Sequence, residues 1–215
     1  MVLDLRLLGR FAVAVDGQDV DESRWVRRQA ALVVKLLALA PHQRLHQEQI
    51  MEVLWPGADR ETAANGLHKM VHLARHALEP RLSAGNDSRF LQRGEGLLRL
   101  VSATGLRIDA DEFERLALRA LRDGDEAVCQ DALRLYEGDL LPADRFAEWA
   151  SERRDRLRTL RLQVLAALAE RLAARGELAE AIRSLQQLLA VEPTNEQAHR
   201  SLMECFARAG ARAQA

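Results

Sequence analysis

The chain of 215 residues contains little of what several protein classes depend on. It has two cysteines and five prolines, and aromatic residues make up 4% of it. Cys129 and Cys205 are 76 positions apart, and this spacing is typical of neither a disulfide framework nor a zinc-ligand motif. We therefore expect no metal site, and we expect both cysteines to be core residues of a protein in a reducing compartment.

Long apolar runs are absent as well. No stretch approaches the roughly 18 consecutive apolar residues that a helix needs to span a bilayer. The N-terminus also lacks the basic region, apolar core and small-residue cleavage site of a secretory signal. These absences predict a cytoplasmic protein with no membrane partner.

Motifs of the common catalytic sites are missing too. The sequence has no nucleophile elbow and no glycine-rich loop that would hold a phosphate group. Its carboxylate pairs are scattered and have no context that would shift their pKa values. We therefore expect no enzymatic activity, no catalytic residues and no cofactor.

Neither sign of charge predominates. The sequence has 31 Lys and Arg against 32 Asp and Glu, a formal net charge of −1. Residues 1–103 contain 14 basic and 12 acidic residues, together with five of the six histidines, whereas residues 104–215 contain 17 basic and 20 acidic residues. Binding to nucleic acid must therefore be argued from the local placement of basic residues.

The first half shows the element order of a winged helix-turn-helix. Alternating apolar residues between 3 and 20, with a hairpin signal at Asp16-Gly17, predict a small antiparallel sheet. Helical periodicity follows at residues 27–40, 46–54 and 63–78, and we expect Thr62 to cap the third helix. A loop at residues 83–88 leads to a hairpin at residues 90–100 with a tip at residues 94–96. This order makes residues 63–78 the recognition helix.

The second half is predicted to be helical from Gly105 onward. Asp109 and Glu112 have the spacing of a capping box, and residues 123–125 separate that helix from the next at 126–136. A connector at residues 137–144 precedes a long amphipathic run at about 146–174.

An internal repeat follows this run. The glycines at 176 and 210 open similar segments 34 residues apart, the period of the tetratricopeptide repeat, and Pro193 stands between helices. We expect Thr194 and Gln197 to cap the helix after Pro193. The sequence stops at Ala215, where the second helix of that repeat should begin, so either its end is capped unusually or the chain is the front part of a longer protein. We predict a mainly α fold with a small antiparallel β component: a winged-helix DNA-binding domain at residues 1–103 and a tetratricopeptide-like all-α domain at residues 104–215.

Two ordered sets of short motifs carry a family resemblance. The first consists of VAVDG at 13–17, LLALA at 36–40, LHQEQ at 45–49, LWP at 54–56, ANGLH at 64–68 and RHALEP at 75–80. The second consists of YEGDLLP at 136–142, WA at 149–150 and ERR at 152–154. Together they resemble the Streptomyces antibiotic regulatory protein type of transcriptional regulator, in which an OmpR-like winged helix precedes a bacterial transcriptional activator domain. The resemblance also implies that Asp59 and Arg60, in the loop before the recognition helix, contact RNA polymerase.

The polar face of the recognition helix supplies the candidate DNA contacts. Arg75 has the donor geometry for guanine, Lys69 for a phosphate and Asn65 for adenine, and Arg93 beside the hairpin tip is the candidate wing contact. The full set of candidate residues is Asn65, His68, Lys69, His72, Arg75, His76 and Arg93. A solvated helix face is the alternative interpretation of these side chains. The three histidines, spaced by four, could also hold a metal, but no fourth ligand completes a zinc site.

These observations predict a transcriptional regulator that binds double-stranded DNA and acts as an activator. RNA polymerase is the expected protein partner, and the helical domain is expected to mediate homodimerisation or partner contact. The alternative is a protein-interaction scaffold whose winged helix no longer binds DNA, since the first domain is close to neutral and phosphate contacts supply most non-specific affinity.

Overall fold

The computed structural model describes residues 1–83 and 87–210, and its first element is a four-stranded sheet. The strands are β1 (Leu3–Arg6), β2 (Ala12–Val15), β3 (Gln18–Asp19) and β7 (Leu106–Ile108), in the order β3-β2-β1-β7. Asp16 and Gly17, both with positive φ (50° and 78°), form the two-residue turn between β2 and β3 that the sequence predicts. The antiparallel part of this sheet is as expected.

Strand β7 corrects the prediction that every element beyond Gly105 is helical. It pairs in parallel with β1, with Leu3 opposite Leu106 and Leu5 opposite Ile108. The carboxylate of Asp109 then accepts hydrogen bonds from the backbone N–H groups of Leu7 (2.8 and 2.9 Å) and Leu8 (3.0 Å). Three residues are too few to show a period, so this strand exists because it satisfies the open edge of β1.

Three helices and a second sheet complete the winged helix. The helices are α1 (Arg28–Leu39), α2 (Gln47–Leu54) and α3 (Arg60–Leu78). The sheet has the order β4-β6-β5 and consists of β4 (Arg44–His46), β5 (Leu91–Gly94) and β6 (Leu97–Leu100). The hairpin β5-β6 is the predicted wing, whereas β4 was not predicted. Of the predicted loop at residues 83–88, residues 84–86 lie outside the described part of the chain.

The start of α3 also differs from its prediction. The helix begins at Arg60, and the side chain of Asp59 accepts a hydrogen bond from the backbone N–H of Thr62 at 2.9 Å. Asp59 is therefore the N-cap, and the assignment of that role to Thr62 was wrong by three positions. Asp and Thr both cap helices well, so residue type alone did not distinguish them.

The remaining helices follow the predicted order with shifted boundaries. They are α4 (Asp109–Asp123), α5 (Glu126–Leu135), α6 (Ser151–Ala174), α7 (Leu178–Val191) and α8 (Glu196–Arg208). The long helix α6 starts five residues later than expected, and Phe146 precedes it with its side chain 85% exposed. The side chain of Glu112 binds Arg115 on its own helix, and the capping box of Asp109 and Glu112 stays a prediction.

The repeat prediction is matched as far as the structure describes it. Gly176 and Gly210 both have positive φ (84° and 79°), the left-handed conformation that ends a helix, and they follow α6 and α8. Asn195 caps α8 by accepting a hydrogen bond from the backbone N–H of Ala198, so the prediction of Thr194 as the cap was wrong. Residues 211–215, on which the second glycine segment was based, lie outside the described part.

The chain forms two compact units. The first contains residues 1–109 and 140–153, and the second contains residues 110–139 and 154–215. Leu140 returns the chain to the first unit by a β-bridge with Leu8, and the backbone N–H of Leu141 donates to the carbonyl of Leu7 at 2.8 Å. A boundary at residue 103 remains a prediction. None of the described helices is long and apolar enough to cross a membrane.

Candidate nucleic-acid interface

Helix α3 has one buried face and one exposed face. The buried residues Leu67, Met70, Val71 and Ala74 pack toward α1 and α2. The exposed residues recur at the same helical spacing on the other side, and they are Ala64, Asn65, His68, Lys69 and His72. Four of the seven predicted contact residues therefore share one exposed surface, which we call the α3 face (Asn65, His68, Lys69, His72).

Arg75 and His76 lie one turn further along and are half-buried. The Nε and Nη2 atoms of Arg75 both donate hydrogen bonds to the backbone carbonyl of Leu91, at 3.0 and 2.8 Å. Leu91 belongs to β5, an outer strand of its sheet, so this carbonyl has no strand beyond it in the described sheet. The pair of donors that the sequence assigned to guanine is thus directed at the wing in this structure.

The histidines of α3 are arranged around one ring contact. The imidazole rings of His72 and His76 meet edge to face, with 4.5 Å between their centroids. Within residues 1–83 and 87–210, no group of three His, Cys, Asp or Glu side chains is placed to hold a metal ion. The geometry therefore offers hydrogen-bonding groups on the α3 face.

The wing turns tightly at Glu95 and Gly96, whose φ values are 52° and 75°. Arg93 lies on β5 opposite Leu98 of β6 and has an exposed side chain. Partial burial of its guanidinium lowers the pKa of Arg93, and the nearby positive charge of Arg75 lowers it further. The positive charge of Arg75 on the recognition helix thus acts on the wing arginine.

A second connection between α3 and the wing was not predicted. Glu79, which follows α3, accepts a very short hydrogen bond from the hydroxyl of Ser88 and bonds from the backbone N–H of Arg89 (3.1 and 3.2 Å). The Ser88 hydroxyl in turn accepts from the N–H groups of Phe90 and Leu91. Ser88 is fully buried, which no local pattern in this polar segment indicates. These bonds fix the chain where it enters β5.

The loop between α2 and α3 is held by its two ends. Trp55 lies against Gly66 of α3 so closely that a Cβ atom at position 66 would be 2.8 Å from the indole ring. Hydrogen bonds from Thr62 lower the pKa of the Asp59 carboxyl that caps α3, and Arg60 forms a solvent-exposed ion pair with Glu48 at 3.0 Å. Both residues of the predicted polymerase contact are exposed, and both also have partners within this unit.

The arginine-rich start of α6 uses its charges within the second unit. Arg156 forms an ion pair with Glu114 at 2.6 Å, and Arg158 donates to the carbonyl of Val191 at 2.8 Å. The guanidinium of Arg161 lies over the ring of Tyr136, 4.9 Å from its centroid. These contacts are those of a structural helix, as the sequence indicated. A groove of about 550 Å³ lies between α6 and α8.

Comparison with known proteins identifies a family for the second half of the chain and a similar fold for nearly all of it. The family model for the bacterial transcriptional activator domain matches residues 108–215. Among solved structures, Mycobacterium tuberculosis EmbR in complex with a low-affinity phosphopeptide superposes with a TM-score of 0.78 at 21% identity, covering 98% of this chain and 56% of that one. No curated protein matches the sequence. The likeness to EmbR concerns the fold, and with the family match it confirms the predicted fold class and resemblance.

Proposed function

This chain belongs to the family of the bacterial transcriptional activator domain, a class of transcription regulator, and on that premise we propose that it activates transcription by binding double-stranded DNA. In this proposal α3 enters the major groove and the β5-β6 hairpin lies against the sugar-phosphate backbone as a wing. The protein acts in the cytoplasm. The chain spans 56% of the length of EmbR, so further activities of a longer protein are outside this proposal.

The observation that carries the proposal is the α3 face. A buried helix side holds α3 against α1 and α2, so the opposite side presents Asn65, His68, Lys69 and His72 together to solvent. The side chain of Lys69 makes no hydrogen bond or ion pair within the described residues, and its ammonium group is therefore available to a phosphate. Asn65 and the two histidines supply hydrogen-bonding groups for base edges.

A salt-titrated binding assay on duplex DNA tests the proposal. We expect the affinity of the full chain to fall linearly on a log-log scale with salt, since bound Lys and Arg release counterions from phosphates. Replacing Lys69→Gln should reduce the magnitude of this slope by about 0.9, the value for one phosphate contact. The matched control is Arg10→Gln, which removes one positive charge from an exposed position outside α3 and the wing. Absence of binding at the lowest salt would contradict the proposal.

A protein-docking winged helix is the second candidate, favoured by the small positive charge of residues 1–103. The same assay separates the two functions because a docking module would not bind DNA in a salt-dependent way. A smaller salt slope for Lys69→Gln supports DNA binding, since a partner protein has no regular array of phosphates from which counterions are released.

Two protein contacts complete the proposal. The loop at residues 55–59 and the start of α3, with Asp59 and Arg60, are the proposed contact with RNA polymerase. Asp59→Asn tests this contact because asparagine also caps helices, so the variant loses the charge and keeps the cap. If the variant binds RNA polymerase as tightly as the unmodified chain does, the proposed contact is contradicted.

The helical domain is the proposed site of homodimerisation, and a monomeric mass in light scattering would exclude it.

A further inference from the structure

Two apolar side chains of the first unit are unusually exposed. Phe146 is 85% exposed and Val26 is 72% exposed, more than any other large apolar side chain in residues 1–83 and 87–210. Single exposed apolar residues are common on protein surfaces, whereas a group of them marks an interaction site. The contacts of the residues around Phe146 and Val26 decide which of the two cases applies.

A series of side-chain contacts connects the segment before α1 with the segment that contains Phe146. The rings of Trp25 and Phe11 lie 5.5 Å apart, centroid to centroid. The ammonium group of Lys35 on α1 lies over the Phe11 ring, 4.8 Å from its centroid, and forms an ion pair with Asp144 at 2.5 Å. Phe146 follows Asp144 by two positions. The two exposed apolar side chains therefore belong to one region of the first unit.

This region also carries positive charge that has no partner. Arg27 and Arg28 are exposed at the start of α1, and neither side chain makes a hydrogen bond or ion pair in the part of the chain that the structure describes. The helix has no side-chain cap and no acidic residue in its first turn, so its N–H groups add to the positive potential. Residues 21–28 contain three arginines and two acidic residues, and one of these, Asp21, already accepts from the N–H of Ser23 at 2.7 Å.

We propose that this region docks a segment of a partner protein that carries both acidic and apolar side chains. We call it the Trp25 surface, and its residues are Phe11, Trp25, Val26, Arg27, Arg28 and Phe146. Aromatic residues and arginine are enriched in protein interfaces, where a few such anchors supply most of the binding energy. A nucleic-acid backbone would engage the arginines but leave the apolar side chains in water, so the exposed apolar residues favour a protein partner. The Trp25 surface shares no residue with the α3 face, and the inference does not depend on the proposed function.

A peptide titration into the full chain tests the proposal. The probe is a short synthetic peptide in which glutamate alternates with leucine, and the control peptide has lysine in place of each glutamate. We expect the acidic peptide to shift the indole N–H signal of Trp25 in NMR spectra, while the signal of Trp55, which lies against Gly66, stays in place. The lysine peptide should shift neither signal. Absence of a shift with the acidic peptide, or equal binding of both peptides, would overturn the proposal.

Variants of the exposed residues locate the binding surface. Val26→Ser, Phe146→Ser and the pair Arg27→Gln with Arg28→Gln should each weaken binding of the acidic peptide by roughly five- to tenfold, as the loss of an interface anchor does. All four positions are exposed, so we expect melting temperatures like that of the unmodified chain. Met203→Ser is the matched control because it removes an exposed apolar side chain from the second unit. Equal affinity for all of these proteins would overturn the proposal.

Other occupants of the Trp25 surface give different results. If DNA covers it, Arg27→Gln with Arg28→Gln lowers the salt slope of DNA binding and Phe146→Ser does not change DNA affinity. If a second copy covers it, light scattering shows a dimer that Phe146→Ser dissociates. Either result overturns the proposal. A chain that binds duplex DNA but not the acidic peptide would contradict this inference and leave the proposed function intact, and the opposite result would do the reverse.

Discussion

The role of each basic side chain depends on the partners that its donors already have. Lys69 is exposed on α3 and has no partner within the described residues, so its charge is available to a ligand. Arg75 lies six positions further on the same helix, and two of its donors are fixed on the carbonyl of Leu91. Arg156 is bound to Glu114 and contributes to the fold of the second unit. Basic side chains of this chain thus differ in the contacts open to them according to their neighbours.

Tyr136, the only tyrosine in the chain, gives a prediction for alkaline pH. Burial raises the pKa of its phenol, and the charge of Asp139, which accepts its hydrogen bond at 3.0 Å, raises it further. The folded state therefore keeps the proton at a pH where the unfolded chain, with an ordinary value near ~10, releases it. The contribution of Tyr136 to the free energy of unfolding is fully present below the pKa of the unfolded chain, and it is lost as pH rises through the pKa of the folded state.

The measurement follows the ultraviolet absorbance of tyrosinate together with circular dichroism. Because there is a single tyrosine, the absorbance reports Tyr136 alone. We expect tyrosinate to form only as the helical signal is lost, and Tyr136→Phe to remove the absorbance change and to lower stability by about 1 kcal/mol through the lost hydrogen bond. Ionisation near the ordinary tyrosine pKa with the helical signal unchanged would show that the phenol is not protected.

Residue types and helical positions were predictable, but long-range partners were not. The sequence shows that Arg75 lies on α3, yet its acceptor Leu91 is 16 positions away on another element. Likewise Ser88 is a polar residue in a polar segment, and its burial depends on Glu79 being brought beside it by the end of α3. A local sequence pattern shows the periodicity of a helix or strand, but it does not show which distant residue that element contacts.

Helix α3 is positioned by packing at both of its ends. At its start Asp59 caps the helix and Trp55 lies against Gly66, and at its end Arg75 and Glu79 bind the wing. The middle of the helix is therefore held in one orientation with the α3 face outward. A rigid support of this kind is what the proposed contact residues on α3 require.

Gly66→Ala tests the contact at the start of α3. Alanine is favoured over glycine inside a helix by about 1 kcal/mol, so an open site would gain stability. Here the new Cβ atom would lie 2.8 and 2.9 Å from two atoms of the Trp55 ring, and overpacking of this kind costs about 1–3 kcal/mol. We expect a net loss of about 1 kcal/mol in denaturant unfolding, with a change in tryptophan fluorescence.

Gly94→Ala is the matched control because no atom lies within 4 Å of a Cβ atom at that position. It should leave the tryptophan fluorescence unchanged. A gain in stability for Gly66→Ala would mean that the Trp55 ring moves aside without cost and does not support α3.

Long periodic elements were predicted well, and short ones were missed for a physical reason. The strands β4 and β7 contain three residues each, fewer than a pattern of alternation needs to be recognised, and both form by satisfying an existing strand edge. The cap of α3 was misplaced because Asp59 and Thr62 are both suitable and only the observed bond decides. In YEGDLLP the motif identified the family, but its function in the fold became visible only through the pairing of Leu140 with Leu8.

At the scale of the whole molecule, the compact units are not continuous in sequence. The first unit takes residues 140–153 from the region that the family model assigns to the activator domain, and it also contains β7. The winged-helix unit is thus completed by residues that follow the wing in sequence. Truncation just after the wing should consequently weaken it.

Two fragments that differ only in β7 and the residues around it test this. Residues 1–103 end before β7, whereas residues 1–112 include β7 and the carboxylate of Asp109 on the N–H groups of Leu7 and Leu8. Burial of one isoleucine side chain such as Ile108 contributes about 1.5–3 kcal/mol, and each hydrogen bond to a charged group about as much again. We therefore expect the longer fragment to melt at least about 10 °C higher, since 1 kcal/mol corresponds to roughly 4–8 °C in a domain of this size.

Asp109→Ala in the longer fragment separates the two contributions. It keeps β7 beside β1 but removes the acceptor for Leu7 and Leu8, so its melting temperature should lie between those of the two fragments. Differential scanning calorimetry on all three proteins gives the comparison. Equal melting temperatures for residues 1–103 and 1–112 would contradict the prediction, because they would mean that the sheet edge at β1 is satisfied without β7.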